Sequence, residues 1–169
     1  MSLGNEIIPI VDENDTIIMY KMRKDVELDE IYRVSAIILK DGKGRILLAQ
    51  RGFHKRNSPG SWSVSAAGTV EKGETYEENI EKELFEELGI NNISIKEIMK
   101  FRSVGKHKYF VVFYEATLDK KEEDFILEED QVEQIKRFSR EEFEVFKNDK
   151  NNIIGKNLLK ALEKHNFFE

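Results

Sequence analysis

The stretch Gly68-Thr69-Val70-Glu71-Lys72-Gly73-Glu74-Thr75-Tyr76-Glu77-Glu78-Asn79-Ile80-Glu81-Lys82-Glu83-Leu84-Phe85-Glu86-Glu87-Leu88-Gly89-Ile90 passes from a glycine-bearing loop into a helix whose two ends are both marked. Thr75 is placed to cap the first turn, and Glu78 three residues later can reach back to the Thr75 N–H, the reciprocal capping-box pattern. Gly89 is the usual residue for the left-handed turn that closes a helix. Ile80, Leu84 and Leu88 recur every four residues and make a narrow apolar stripe that can hold the helix against a sheet. Away from that stripe, Glu83, Glu86 and Glu87 stand at i, i+3 and i+4, so their carboxylates gather on one surface.

An acidic run is ordinarily a solvated helix face. At this spacing, however, each like-charged pair costs a few tenths of a kcal/mol, and a purely structural helix gains nothing from it. A cation among the three carboxylates removes the repulsion. Hard divalent ions such as magnesium prefer oxygen ligands, keep several waters, and are commonly shared between protein carboxylates and substrate phosphates.

Working outward, the chain before the helix reads as strands. Ile7 to Val11 and Thr16 to Tyr20 are β-rich runs around the turn-like Asp12-Glu13-Asn14-Asp15, which predicts an N-terminal hairpin. Tyr32 to Leu39 and Arg45 to Gln50 flank Asp41-Gly42-Lys43-Gly44 and predict a second antiparallel pair. A polar loop from Arg51 to Gly60 and a short strand around Trp62 to Ala66 follow. Beyond the helix, Ile93 to Phe101, Lys108 to Leu118 and Val132 to Phe138 read as strands, and Arg140 to Phe146 and Ile153 to His165 as helices.

Length, 169 residues, suits one domain, taken as 1–169, and the balance of 40% hydrophobic against 36% charged residues belongs to a folding globular chain. No apolar run reaches the roughly 18–20 residues of a membrane span, and the start lacks the pattern of a signal peptide, so a cytoplasmic location away from membranes is expected. With no cysteine, thiol catalysis, disulfides and zinc–thiolate sites are excluded; the three histidines, His54, His107 and His165, have no ligand-like spacing. Any metal must therefore rely mainly on oxygen. A net charge of −6 argues against a general nucleic-acid binder.

The segment 68–90 resembles the Nudix box, G-x5-E-x7-R-E-U-x-E-E-x-G-U with U a bulky aliphatic residue, and matches it at every specified position except Lys82, where the family has arginine. The resemblance implies an α/β (α+β) fold, a Nudix-type α/β/α sandwich with a mixed sheet, in which the box holds one or more magnesium or manganese ions. It also implies roles: Glu83 and Glu87 as the main metal ligands, Glu86 as a further ligand or water-activating group, Glu74 as support for the metal and water network, and the Ala67 carbonyl as a possible ligand. The family arginine helps to hold the glutamates, and Lys82 is expected to do this by pairing with Glu86 four residues on. The implied reaction is hydrolysis of a diphosphate linkage in a small molecule, with a nucleotide-containing substrate preferred and a homodimer possible.

A second likeness, carried by Ile31-Tyr32-Arg33, Leu47-Leu48-Ala49-Gln50-Arg51 and Trp62-Ser63-Val64-Ser65-Ala66-Ala67-Gly68, is to the Nudix branch that includes isopentenyl-diphosphate isomerase. Those isomerases use a cysteine and metal-binding histidines that have no counterpart here, so that reaction is not expected. Substrate contacts fall outside the box. Arg51, Lys55 and Arg56 form a basic group that either meets phosphates or is simply exposed. Trp62 either lines the pocket and stacks on a base or packs in the core. Glu128-Glu129-Asp130 is either a solvated loop or the source of an extra catalytic acid. A non-catalytic Nudix-fold binding or regulatory module is the alternative from another functional class; Lys82 is the one departure that hints at it, and the intact Glu83, Glu86 and Glu87 speak for the enzyme.

Overall fold

The computed structural model describes residues 4–55 and 57–168. Its spine is β3 (Ile31–Lys40), an apolar strand long enough to serve several partners at once. Along one edge β8 (Lys108–Thr117) runs parallel to it over the whole strand. The opposite edge is shared in succession by β1 (Ile7–Val11), β6 (Ala66–Thr69) and β4 (Ile46–Arg51), all antiparallel. Outer strands complete the sheet: β2 (Ile17–Met22) on β1, β7 (Lys96–Val104) on β8, and both β5 (Trp62–Ser63) and β9 (Val132–Phe138) on β4.

Strand alternation then sorts the core into two faces. Ile37 and Leu39 of β3, with Val112 and Tyr114 of β8, meet Ile80, Leu84 and Leu88 of α1 (Tyr76–Leu88). Ala36, Ile38, Val111 and Phe113 point the other way, toward Phe143 of α2 (Arg140–Asn148) and Leu158 and Ala161 of α3 (Lys156–Lys164). The result is the helix–sheet–helix sandwich with a mixed sheet. Each fully buried Leu or Ile on these faces is worth roughly 1.5–3 kcal/mol of transfer free energy, and α1 alone contributes Ile80, Leu84 and Leu88, at most 1% exposed.

Helix α1 has the ends read from the sequence. Thr75 Oγ1 accepts from the Glu78 N–H at 3.1 Å, Glu78 Oε2 accepts from the Thr75 N–H at 2.8 Å, and Gly89 closes the helix at φ 66°. Three other elements differ from expectation. The single strand expected around 62–66 is two, because Ser65 turns inward: its Oγ donates to the Leu47 carbonyl (2.6 Å) and accepts from the Leu39 N–H (2.8 Å), handing the chain from β4 to β3. The strand expected from Ile93 begins at Lys96, after Asn92 takes a left-handed φ of 53°, and runs on to Val104 opposite Lys108. The helix expected from Ile153 starts at Lys156, since the Ile153 carbonyl and the Gly155 N–H bond the backbone of Trp62, each at 2.8 Å.

The N-terminal hairpin is pinned beside the box by its turn. Asp15, at φ 62°, accepts from Arg33 Nε of β3 (2.7 Å), Tyr76 Oη of α1 (3.0 Å) and Lys100 Nζ of β7. One carboxylate thus ties the hairpin to the sheet and to the start of α1.

Candidate metal and diphosphate site

Strand β6 carries Ala67 and Gly68 beneath α1, and Glu83 and Glu87, one turn apart, lie against that backbone. Gly68 is required by contact: a Cβ built there would stand 1.9 Å from Glu83 Oε1. The Ala67 N–H donates to Glu87 Oε2 at 3.3 Å. Burial is the main reason that the Glu83 carboxyl is pushed up to about 8, with the neighbouring Glu87 charge adding to it. Burial likewise raises Glu87 to about 7, and the attraction of Lys55, the Ala67 N–H and Arg51 offsets it only in part. Glu86 is exposed at the edge of this pair.

Two half-buried carboxylates that resist ionisation side by side fit a divalent cation, whose charge would restore both to the ionised form. The donors are oxygens throughout, as a hard ion prefers. Among the described residues no three Asp, Glu or His side chains close into a complete cage. A cation here would accordingly complete its shell from backbone carbonyl, water and substrate oxygens, the usual habit of magnesium.

Lys82 is placed differently from expectation. Its Nζ donates to Glu74 Oε1 (2.6 Å) and Glu71 Oε1 (2.7 Å), and not to Glu86. The loop before the helix causes this: Gly73, at φ 92°, folds it back so that both glutamates return over the first turns. Partial burial works against the ammonium, but the hydrogen bonds it donates to Glu71 and Glu74 outweigh it and raise its pKa. Glu74 is held from its other oxygen too, by the Glu71 N–H (2.9 Å) and by Asn79 Nδ2 (3.0 Å). Burial opposes ionisation of Glu74, and the Lys82 hydrogen bond leads the contacts that pull its pKa below the ordinary value.

Trp62 requires a correction. It is 5% exposed, edge-on to Phe138 (5.9 Å) and Phe146 (5.2 Å), in the core that faces α2 and α3. The indole sits across the sheet from α1, so it has no free face for a substrate ring. Arg51 and Lys55 do come to the site: both are felt at Glu87, and burial, followed for Lys55 by repulsion from Arg51, lowers their own pKa values. Arg56 lies outside the described residues.

Three further groups converge, two of which, Arg23 and Asn79, the sequence did not single out for this place. Arg23, in a single 3-10 turn after β2, acts electrostatically on Glu83, Arg51 and Lys55. Glu128, weighed with Glu129 and Asp130 as either solvated loop or the source of an extra catalytic acid, has its N–H bonded to the Glu87 carbonyl at 3.2 Å and its charge felt at Glu87. Asn79 is fully buried and hydrogen-bonds Ser35 of β3, the Thr69 carbonyl (3.1 Å) and Glu74, locking α1 to β3, β6 and the loop. A polar residue beside Ile80 on the inward side of the helix was its only signal. Arg23 had none, since nothing local to a 3-10 turn says what lies across from it.

The family model described as the NUDIX domain matches residues 31–162. An uncharacterised Nudix hydrolase of Nostoc sp. is 33% identical over 119 residues, covering 68% of this chain and 70% of the relative. Other curated relatives are matched over little more than half of their length. Among solved structures, a Deinococcus radiodurans protein superimposes with a TM-score of 0.81 at 22% identity, over 94% of this chain and 98% of that one. The NUDIX domain of Shewanella oneidensis NrtR, complexed with ADP ribose, does so at 0.62 and 14% identity, over 85% of this chain and 90% of that one.

The chain belongs to the Nudix hydrolase family. Its fold is that of the family's solved members, and no helix among the described residues is long and apolar enough to cross a membrane.

Proposed function

We propose that this protein hydrolyses a diphosphate linkage in a small molecule, in a nucleoside diphosphate joined to another group, with magnesium or manganese bound at Glu83 and Glu87. The observation that carries this reading is the pair of half-buried carboxylates seated on Ala67 and Gly68, with Arg51 and Lys55 acting on Glu87. A divalent ion, when bound, supplies positive charge against the diphosphate oxygens and lowers the pKa of water. Glu83 and Glu87 would hold it, with the Ala67 carbonyl as a further ligand. Arg51, Lys55 and Arg23 would neutralise and orient the diphosphate, a task suited to guanidinium and ammonium donors. Water attacks phosphorus, the bridging P–O bond breaks, and exposed Glu86 takes the proton released by the attacking water. Lys82 holds Glu74 and Glu71 and so acts as a positioning residue. The nucleotide preference draws on the ADP ribose complex of the NrtR domain.

The test is a panel of nucleotide sugars, dinucleotides, coenzyme A and nucleoside triphosphates, incubated with magnesium or manganese, with both products identified by mass. Chelator should abolish cleavage, and Glu83→Gln should lower it on the order of 100-fold or more. Turnover untouched by chelator would overturn the metal assignment; binding of panel members without cleavage would favour the non-catalytic module.

A further inference from the structure

The N-terminal hairpin exposes an apolar edge that the proposed reaction does not use. Among the described residues β2 pairs only with β1, so its other side is a free sheet edge. Ile7 of β1 and Ile17, Ile18, Met19, Tyr20 and Met22 of β2 are each 39–58% exposed. Edges of this kind are normally blunted by charge or proline. Here the single charge on the strand, Lys21, is drawn off by Glu30 and Glu27, which follow β2 in the chain.

The backbone says which groups are free. The Arg23 N–H donates to the Glu6 carbonyl (2.8 Å), so in this register the mutually bonded pairs are Glu6/Arg23, Ile8/Lys21 and Ile10/Met19. The pairs between them, Ile7/Met22 and Pro9/Tyr20, turn away from each other: Pro9 has no N–H, and the Ile7 carbonyl accepts from Lys72 on the far side. Tyr20 and Met22 therefore present their N–H and C=O groups to the open edge. Ile18 is the extra residue of the bulge opposite Ile10 and Val11, and its side chain is turned out, 58% exposed.

We propose that this edge is a self-association surface, on which two copies of the chain pair their β2 strands antiparallel across a two-fold axis at Tyr20. A two-fold contact uses the same strand from both copies. An axis at Lys21 would set two ammonium groups opposite one another, which is unfavourable; an axis at Met19 would leave Met22 unpaired. With the axis at Tyr20, the two tyrosines face each other and Met22 of each copy lies against Ile18 of the other. Edge-to-edge pairing covers only part of each of these half-exposed side chains, which places the contact in the small, transient class of interfaces, below about 1,200 Å², so the dimer should be reversible with a dissociation constant in the micromolar range.

Sedimentation equilibrium from about 1 to about 300 µM should show the mass rising from one chain toward two. Tyr20→Lys, a change at an exposed position, should keep the melting temperature and remain monomeric throughout. Because the chain has no cysteine, a single introduced one reports register. Tyr20→Cys should cross-link to its own copy under mild oxidation, as facing Cα atoms lie about 5.5 Å apart, within disulfide reach. Met19→Cys should cross-link far more slowly, its symmetry mate lying beyond about 7 Å. A wild-type monomer at the highest concentration overturns the proposal and leaves the edge to a different partner. Association unchanged by Tyr20→Lys, or equal cross-linking by both cysteines, overturns it as well.

Discussion

The Glu83 carboxylate lies over the α-carbon of Gly68, so close that a methyl group there would stand 1.9 Å from Oε1. One strand residue without a side chain thereby sets the position of a helix carboxylate fifteen places later in the chain. Gly68→Ala must push Glu83 out of its seat or shift α1 from β6. It should lower turnover on the order of 100-fold while costing about 1–3 kcal/mol of stability through overpacking. Steady-state kinetics and denaturant unfolding of the same variant check both numbers; a variant as active as wild type would show that the seat is not needed.

Divalent ions should raise the melting temperature. Binding confined to the native state stabilises by mass action, and a hundredfold excess over the dissociation constant corresponds to a rise of about 5–10 °C for a chain of this size. Calorimetry with magnesium or manganese should show this in wild type and lose it in Glu83→Gln, whose fold is retained.

Lys82 acts on Glu71 and Glu74, which makes it the clamp of the loop before α1. Lys82→Ala should reduce turnover about 10-fold, with the loss appearing as a higher metal requirement. Lys82→Arg keeps the charge and adds a second donor branch, and should match or exceed wild type. Kinetics of the three proteins across a metal titration decide; equality of Lys82→Ala with wild type would reduce Lys82 to a surface cation.

Asp15 carries a pH dependence of stability. Burial alone would raise its pKa, but the hydrogen bonds from Lys100, Arg33 and Tyr76 outweigh it and hold the folded value below the ordinary 3.8. A depressed carboxyl stabilises fully above 3.8, and that contribution is lost as pH falls through the folded value. Asp15→Asn tolerates the same left-handed backbone but loses the charge, and should cost about 1.5–3 kcal/mol at neutral pH. Urea unfolding at a series of pH values should find the gap between variant and wild type closing below about pH 3.8.

Trp62 should prove structural. Trp62→Ala is expected to cost about 3–5 kcal/mol, whereas Trp62→Phe should fold and leave KM for the identified substrate unchanged. A selective rise in KM for Trp62→Phe would restore the indole to the binding site.

The sequence by itself determined those features whose causes are local. The limits of α1 follow from Thr75, Glu78 and Gly89, all within hydrogen-bonding reach along one helix. The grouping of Glu83 with Glu87 follows from helical spacing, and the hairpins from turn residues between β-rich runs. Only the tertiary structure decided the rest, since those contacts join residues that helical spacing or strand pairing does not bring together. Lys82 turned to Glu71 and Glu74 because Gly73 folds the loop back, an outcome that the i, i+4 rule does not contain. Trp62 went to the far core because its side chain leaves β5 on the face of the sheet where Phe138 and Phe146 pack. Arg23 and Glu128 reached the carboxylates from segments about sixty and forty residues away. Local rules specify a side chain's neighbours along its own element; which opposing element supplies the partner is settled by how the two faces of the sheet are buried together.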